Sequence, residues 1–254
     1  PAATFDVITL ELPHVGTLAG REPVTLRWRD DALRFDPACL VGGESSRLCW
    51  EAGRVGGDGA EVTVNARGLP ATLIRRFQPM IALDGTFSAE LRVDGERLDA
   101  RLEAGGNTLS VLDPRSAEPV YEDTLAKLAM TARRRADEGF AFDAELVLEA
   151  SGSARLTGNL GAGDDLAAAA LDARLDLALD DLALPAAFVP ALAETTGGAS
   201  GTLRIGGTLA DPRAEGSLQA EGATTVTPLG IRLDPLKITV TGASSGPMVI
   251  STMP

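Results

Sequence analysis

The chain has 254 residues, a formal net charge of −13 and 44% apolar residues, but only 4% aromatic ones. That length suffices for one large β unit or two smaller modules with a core. An acidic balance with no basic stripe excludes nucleic acid and disfavours broad adhesion to anionic membranes. Sparse aromatics leave little to stack on bases or sugars, and no apolar run of about twenty residues exists to cross a bilayer.

Period-two alternation predicts strands from the start. Segments 7–12 (VITLEL) and 24–28 (VTLRW) flank GTLAG (16–20), which reads as a turn. Leu33 and Phe35 open a strand that leads into Cys39, and Val62 and Val64 sit in EVTVNA. In GTFSAELRVDG, Phe87, Ala89, Leu91 and Val93 oppose Ser88, Glu90, Arg92 and Asp94; RLDARLEAG continues with Leu98, Ala100 and Leu102. FAFDAELVLEA sets Phe140, Phe142, Ala144 and Leu146 on one face, SARLTGNLG follows, and ALDARLDLALDD alternates Leu171, Ala173, Leu175, Leu177 and Leu179 with acids and Arg174. Leu203 and Ile205, then Leu218 and Ala220, then Ile238 and Val240, complete the series.

Two segments break the rhythm, 68–85 (GLPATLIRRFQPMIALDG) and 183–198 (ALPAAFVPALAETTGG). Each starts Leu-Pro and carries apolar residues at three- and four-residue spacings: Leu73, Ile74 and Phe77 in one, Phe188, Val189 and Leu192 in the other. Both predict a short amphipathic helix, stopped by Pro79 and by Gly197-Gly198. Leu69 and Leu184 lie 115 residues apart. That spacing suggests two duplicated units, about 1–119 and 120–254, within one continuous β region over 1–254.

Nothing catalytic accompanies the strands. The single histidine, His14, has no marked nucleophile, and GxSxG, GxxxxGK[ST] and HExxH are absent. Gly56-Gly57-Asp58-Gly59-Ala60-Glu61-Val62 only faintly echoes a calcium β-roll, whose sites need stacked copies. The pairs Asp30-Asp31, Asp164-Asp165 and Asp180-Asp181 read as solvated turn acids and not as calcium ligands or a catalytic dyad. The expectation is no enzyme, no cofactor and no metal.

Cys39 and Cys49 bracket Gly-Gly-Glu-Ser-Ser, which suits a disulfide across a hairpin if the Cα atoms approach within about 7 Å. Zinc is disfavoured, because no second Cys pair or His cluster supplies ligands. Two buried free thiols are the other reading of the pair. A disulfide implies an oxidising compartment, the periplasm or the cell exterior.

The stretch 201–242 carries a more specific pattern: G-x-L-x-I-x-G-T-L-A-D-P-x-x-x-G-x-L, then Pro-Leu-Gly-Ile-x-Leu and an alternating strand. With the Leu184-Pro185 helix and the CL…LCW pair around Cys39 to Trp50, this resembles the TamB family of translocation and assembly module proteins. The resemblance spans most of the chain and is strongest in its last 75 residues. It implies a protein anchored in the inner membrane of a Gram-negative bacterium, crossing the periplasm to a BamA-family outer-membrane partner, TamA. It also implies kinship with AsmA-like bridge proteins that carry phospholipid to the outer membrane and assist outer-membrane protein assembly. The expected fold is a β-taco, a curled sheet with a U-shaped apolar groove; a β-sandwich or jelly roll is the alternative. The chain, opening at Pro1 and closing after Met248-Val249-Ile250, reads as an internal slice whose membrane contacts lie outside it.

The leading expectation is a periplasmic segment that shields phospholipid acyl chains. Its groove residues are Phe87, Leu91, Val93, Phe140, Phe142, Leu146, Leu156, Leu175, Leu177, Leu203, Ile205, Leu218, Ile231, Leu233, Ile238 and Val240. Plain core packing is the competing role for each of them. A chaperone-like module that takes a strand of a nascent outer-membrane barrel by β-augmentation is the second expectation. A β-rich adhesin or stalk with a filled core is the third.

Overall fold

The computed structural model describes residues 2–12, 16–20, 22–43, 45–57, 59–76, 78–135, 139–163, 165–189, 191–242 and 249–252. His14, Asp58, Phe77 and Asp164, weighed above, lie outside them. All 21 strands belong to one antiparallel sheet, so no second sheet faces it among the described residues. The fold is all-β, as the alternation predicts, and curled, as the family resemblance implies; it is neither a sandwich nor a jelly roll.

The sheet is an up-and-down meander whose early strands are each broken once. β1 (Ala2–Phe5) and β2 (Thr9–Leu12) pair with β4 (Val24–Arg29) and β3 (Gly16–Gly20). Those pair with β5 (Ala32–Phe35) and β6 (Ala38–Gly42), which pair with β8 (Gly53–Gly56) and β7 (Ser46–Trp50). β7 and β8 share one edge of β9 (Gly59–Pro70), and β11 (Thr86–Gly95) takes the other. β12 (Arg97–Ala104) joins β11 to the second half of the long β14 (Pro119–Arg135). β10 (Ile81–Asp84) and β13 (Asn107–Leu112) prolong β11 and β12, and β13 pairs with the first half of β14. β15 (Gly139–Leu148), β16 (Gly152–Leu160), β17 (Leu171–Leu179), β18 (Leu192–Gly207), β19 (Pro212–Val226), β20 (Ile231–Gly242) and β21 (Val249–Thr252) follow, each paired with the one before.

The interruptions face one another across the sheet. Asp36-Pro37 stands opposite Glu51-Ala52, and Gly85 opposite Gly105-Gly106. Proline cannot donate to a ladder, and an extra residue in one strand bends it, so aligned breaks are where a sheet curls. At Gly85 (φ +115°) a Cβ would collide with Asn107, which is 4% exposed and donates Nδ2 to the Thr86 carbonyl at 3.0 Å. Asp30 and Asp31 have φ of 50° and 57° in the two-residue β4–β5 turn, a geometry that acids with short side chains tolerate. That pair is turn chemistry.

Several local expectations need correcting. GTLAG is strand β3 and not a turn, and Leu18 within it is wholly buried; its flanking glycines and small neighbours hid the alternation. The strand at Leu33 and Phe35 does not run unbroken into Cys39, because Asp36-Pro37 ends β5. The first Leu-Pro helix is a single 3-10 segment, Ala71–Arg76, before β10. The second, α1 (Ala183–Ala187), closes at Phe188, and Gly197 and Gly198 lie inside β18. Phe188 and Val189 stay 42% and 43% exposed, so the apolar spacing of that segment does not mark a packed helical face.

The accessible surface is 15692 Å². A compact monomer of this mass exposes roughly 10,600 Å². The excess is what a sheet without a second layer leaves in water. Full burial concentrates in two clusters: Leu18, Leu40, Ala66 and Leu69 under the N-terminal strands, and Ala71, Leu83, Leu125 and Leu148 beneath the 3-10 segment. Leu184 of α1 packs on the second cluster, so the short helix closes that end of the sheet.

Cys39 and Cys49 are cross-strand partners in β6 and β7 with Cα atoms 4.0 Å apart, joined as a disulfide. Leu40 and Leu48 beside them pack into the N-terminal cluster. Closing a loop of this length stabilises a chain by about 2–3 kcal/mol through the unfolded state. Replacing both cysteines by serine is expected to lower Tm by about 5–10 °C in calorimetry. An unchanged Tm would mean that the backbone ladder alone holds this hairpin.

Candidate functional site

Antiparallel partners project to the same face, so the register traces the apolar surface strand by strand. One row runs Val64, Leu91, Ala100, Ala132, Phe142, Gly158, Ala173 and Ile205 from β9 to β18. The next runs Ala66, Ala89, Leu102, Met130, Ala144, Leu156, Leu175 and Leu203. A third runs Leu69, Phe87, Ala104, Leu128, Leu146, Ala154, Leu177, Gly201 and Leu218. Val93 and Phe140 stand one position further towards the β11–β12 and β14–β15 turns.

Twelve of the sixteen groove candidates, Phe87 through Leu218, therefore share one face. Ile231 and Leu233 oppose Val226 and Thr224 at the far end of β19 and are 49% and 39% exposed. Ile238 and Val240 hold the register positions opposite Ala220 and Leu218; their side chains are outside those described.

In mid-sheet this face is not covered. Leu91 is 38% and Met130 45% exposed, and between the two buried clusters lies a trough of about 450 Å³. Its walls are mostly apolar, from Val64 and Ala66 through Leu91, Leu102 and Met130 to Phe142 and Leu156, and Glu90, Arg101, Thr131 and Asp143 at the alternate positions also border it. The opposite face carries cross-strand ion pairs: Lys127 with Glu145 at 2.7 Å, Arg155 with Asp143 at 2.8 Å, Arg133 with Asp99 at 3.3 Å. Arg174 donates to Asp176, which also accepts from Thr202, and together they hold that carboxyl down at about 2. Exposed pairs of this kind add little stability each, but they keep the outer face polar.

Sequence reading missed β13 and β14. In β14 the ladder slips between Leu125 and Lys127, so inward residues fall at Leu125 and Leu128 and a strand acquires helix-like spacing. A bulge in a long strand erases period two locally. The alternation on either side, 121–125 and 128–134, was the available signal.

At the closed end of β14 the face turns polar. Asp123 is 8% exposed; its Oδ1 accepts the N–H groups of Thr124 at 2.7 Å and Ala150 at 3.1 Å. Its Oδ2 accepts the Tyr121 hydroxyl at 2.8 Å, and that hydroxyl also meets the wholly buried Ser151. Burial raises the Asp123 pKa, but donation from Ser151, Tyr121, Ala150 and Thr124 outweighs it and leaves the carboxyl below its ordinary value. Burial, foremost, pushes Tyr121 up to about 12. No three His, Cys, Asp or Glu gather as metal ligands among the described residues.

The fold and this face define a class: an open, one-layered antiparallel sheet, curled, apolar within and charged without. A family model described as TamB, N-terminal domain, matches residues 8–220, and the chain belongs to the TamB family. The match covers the N-terminal strands as well as part of the 201–242 stretch where the sequence pattern is densest. No curated protein and no solved structure matches the chain. It is thus a module of a bacterial envelope protein, from a family of bridge and assembly proteins. No helix among the described residues is long and apolar enough to cross a membrane.

The buried network makes a pH prediction. A depressed carboxyl stabilises above the unfolded Asp value of about 3.9 and loses that contribution as pH falls through the folded value. A raised phenol stabilises below about 10 and loses its contribution as pH climbs towards about 12. Tyr121→Phe should flatten the alkaline decline of Tm between pH 10 and 12, and Asp123→Asn the acid decline below pH 4. Parallel wild-type and variant curves would refute the coupling.

Proposed function

We propose that the trough shields phospholipid acyl chains on their way between the inner and outer membranes, in the periplasm. The observation that supports this reading is an apolar face continuous across nine strands, β9 to β19, and open to solvent at its middle. Nine strands at about 4.8 Å spacing span roughly 38 Å. A wall of Leu, Ala, Val, Met and Phe gives about 0.8 kcal/mol per buried CH₂ without directional bonds, so a chain is held yet free to slide. The disulfide fits an oxidising compartment. The chain acts as a conduit, not an enzyme, and the contact with TamA belongs to the full-length protein.

A strand-addition reading keeps one supporting observation. The outer edge of β1 and β2 has no strand partner among the described residues, and Phe5 and Val7 beside it are 45% and 70% exposed. A client strand of an unfolded outer-membrane barrel would fit such an edge. Crosslinks from Thr4 to barrel peptides, without lipid, would favour it.

Leu91→Asp and Met130→Asp are the cleanest tests, because both positions are already half wet. Each variant should keep the wild-type circular dichroism and melt within about 3 °C of it, the modest cost usual for exposed sites. Native mass spectrometry of protein purified from a Gram-negative host should find phospholipid on the wild type and little on either variant. A lipid-free wild type would overturn the conduit.

A further inference from the structure

Arg134 stands where no charge is expected. On β14 it follows Leu128, Met130 and Ala132 at every second position, paired with Leu98 of β12 on one side and Phe140 of β15 on the other. It therefore projects to the trough face. Of the residues in these rows from β9 to β18, Arg134 alone is charged and the rest are apolar or glycine; the other charge on this face, Asp123, lies buried at the closed end, where Tyr121 and the N–H groups of Thr124 and Ala150 satisfy it. Its neighbours Arg133 and Asp99 pair with each other on the outer face. Among the described residues no acid pairs with Arg134; its guanidinium lies 5.6 Å from the centre of the Phe140 ring.

The position is at a rim. Met130 is mid-trough, and Arg134 is four residues nearer the β14–β15 turn, about 13 Å along the strand. The other ends of these strands are closed by the 3-10 segment and by Leu184 of α1 over Leu125 and Leu148. The trough thus has one roofed end and one open lip, where Arg134 is the cation among the described side chains on this face. A guanidinium resting on an aromatic ring keeps its edge N–H groups free, in the plane suited to a phosphate.

We propose that Arg134 is the headgroup anchor of the trough: it binds the phosphate of a phospholipid whose acyl chains lie inward over Phe142, Met130 and Leu91. This assignment rests on the lipid reading above and adds its orientation and its polar contact. The acidic outer surface repels the same phosphate, whereas at the lip the anion gains from Arg134. The guanidinium binds without chemistry, so release needs only the lipid to slide on.

The test compares two probes with identical acyl chains, palmitoyl-oleoyl phosphatidylglycerol and palmitoyl-oleoyl glycerol, the second lacking the phosphate. Each is offered from mixed micelles to delipidated protein, and retention is read by native mass spectrometry. Wild type should retain the phospholipid about tenfold better, the factor of one charge-assisted hydrogen bond at a half-wet site. Arg134→Gln should abolish that preference and leave palmitoyl-oleoyl glycerol retention unchanged, while Arg134→Lys keeps part of it. Arg133→Gln, the same charge change on the outer face, should keep all of it. Equal retention of both probes by wild type, or an unaltered preference in Arg134→Gln, overturns the anchor alone. Retention of neither probe overturns the lipid reading, and the anchor with it.

Discussion

Every feature of this chain follows from one constraint: a sheet with one apolar face and no second layer to cover it. A one-sided antiparallel sheet normally meets helices or another sheet. Here every strand among the described residues belongs to the same sheet, so within them the apolar face is sheltered by curvature and by what closes its ends. The 3-10 segment and α1 do this over Leu125 and Leu148, and the N-terminal strands over Leu18 and Leu40. The middle stays open, and with it the opportunity for an apolar guest.

Curvature has a chemical origin in the breaks. Asp36-Pro37 and Glu51-Ala52 interrupt one set of neighbouring strands at matching positions, and Gly85 and the Gly105-Gly106 pair interrupt another. A ladder missing one donor, or bearing one surplus residue, turns more sharply than a regular one. Asn107 fills the space at Gly85, so the bend there is packed rather than hollow. Outside the curve, alternating Arg, Asp, Glu and Lys pair across strands, which keeps a surface of large area wet.

Much of the fold was legible in the sequence, and the part that was not has a common cause. Period two located β11, β12, β15, β16 and β17 and put Phe87, Phe142 and Leu175 on one face, because those strands carry no bulge within the alternating run. It failed at β14, where a slip between Leu125 and Lys127 imitates helical spacing, and at β3, whose small residues give too little contrast. The helix at 183–198 was overextended because Leu192 continues the three- and four-residue spacing while in fact beginning β18. Arg134 was hidden for another reason. Arg133, Arg134 and Arg135 are consecutive, and only the register divides Arg133 on the outer face from Arg134 over the trough.

The meander itself has a consequence for how such a protein changes size. Each strand pairs with strands no more than three elements away in the chain, and among the described residues no distant segment closes the sheet. The architecture is in effect one-dimensional, with each hairpin supported by its nearest neighbours. Adding or deleting a hairpin shifts the length by about 10 Å and leaves the cross-section intact. Span and bore are therefore independent variables, and evolution can fit this fold to compartments of different width by changing only the number of turns.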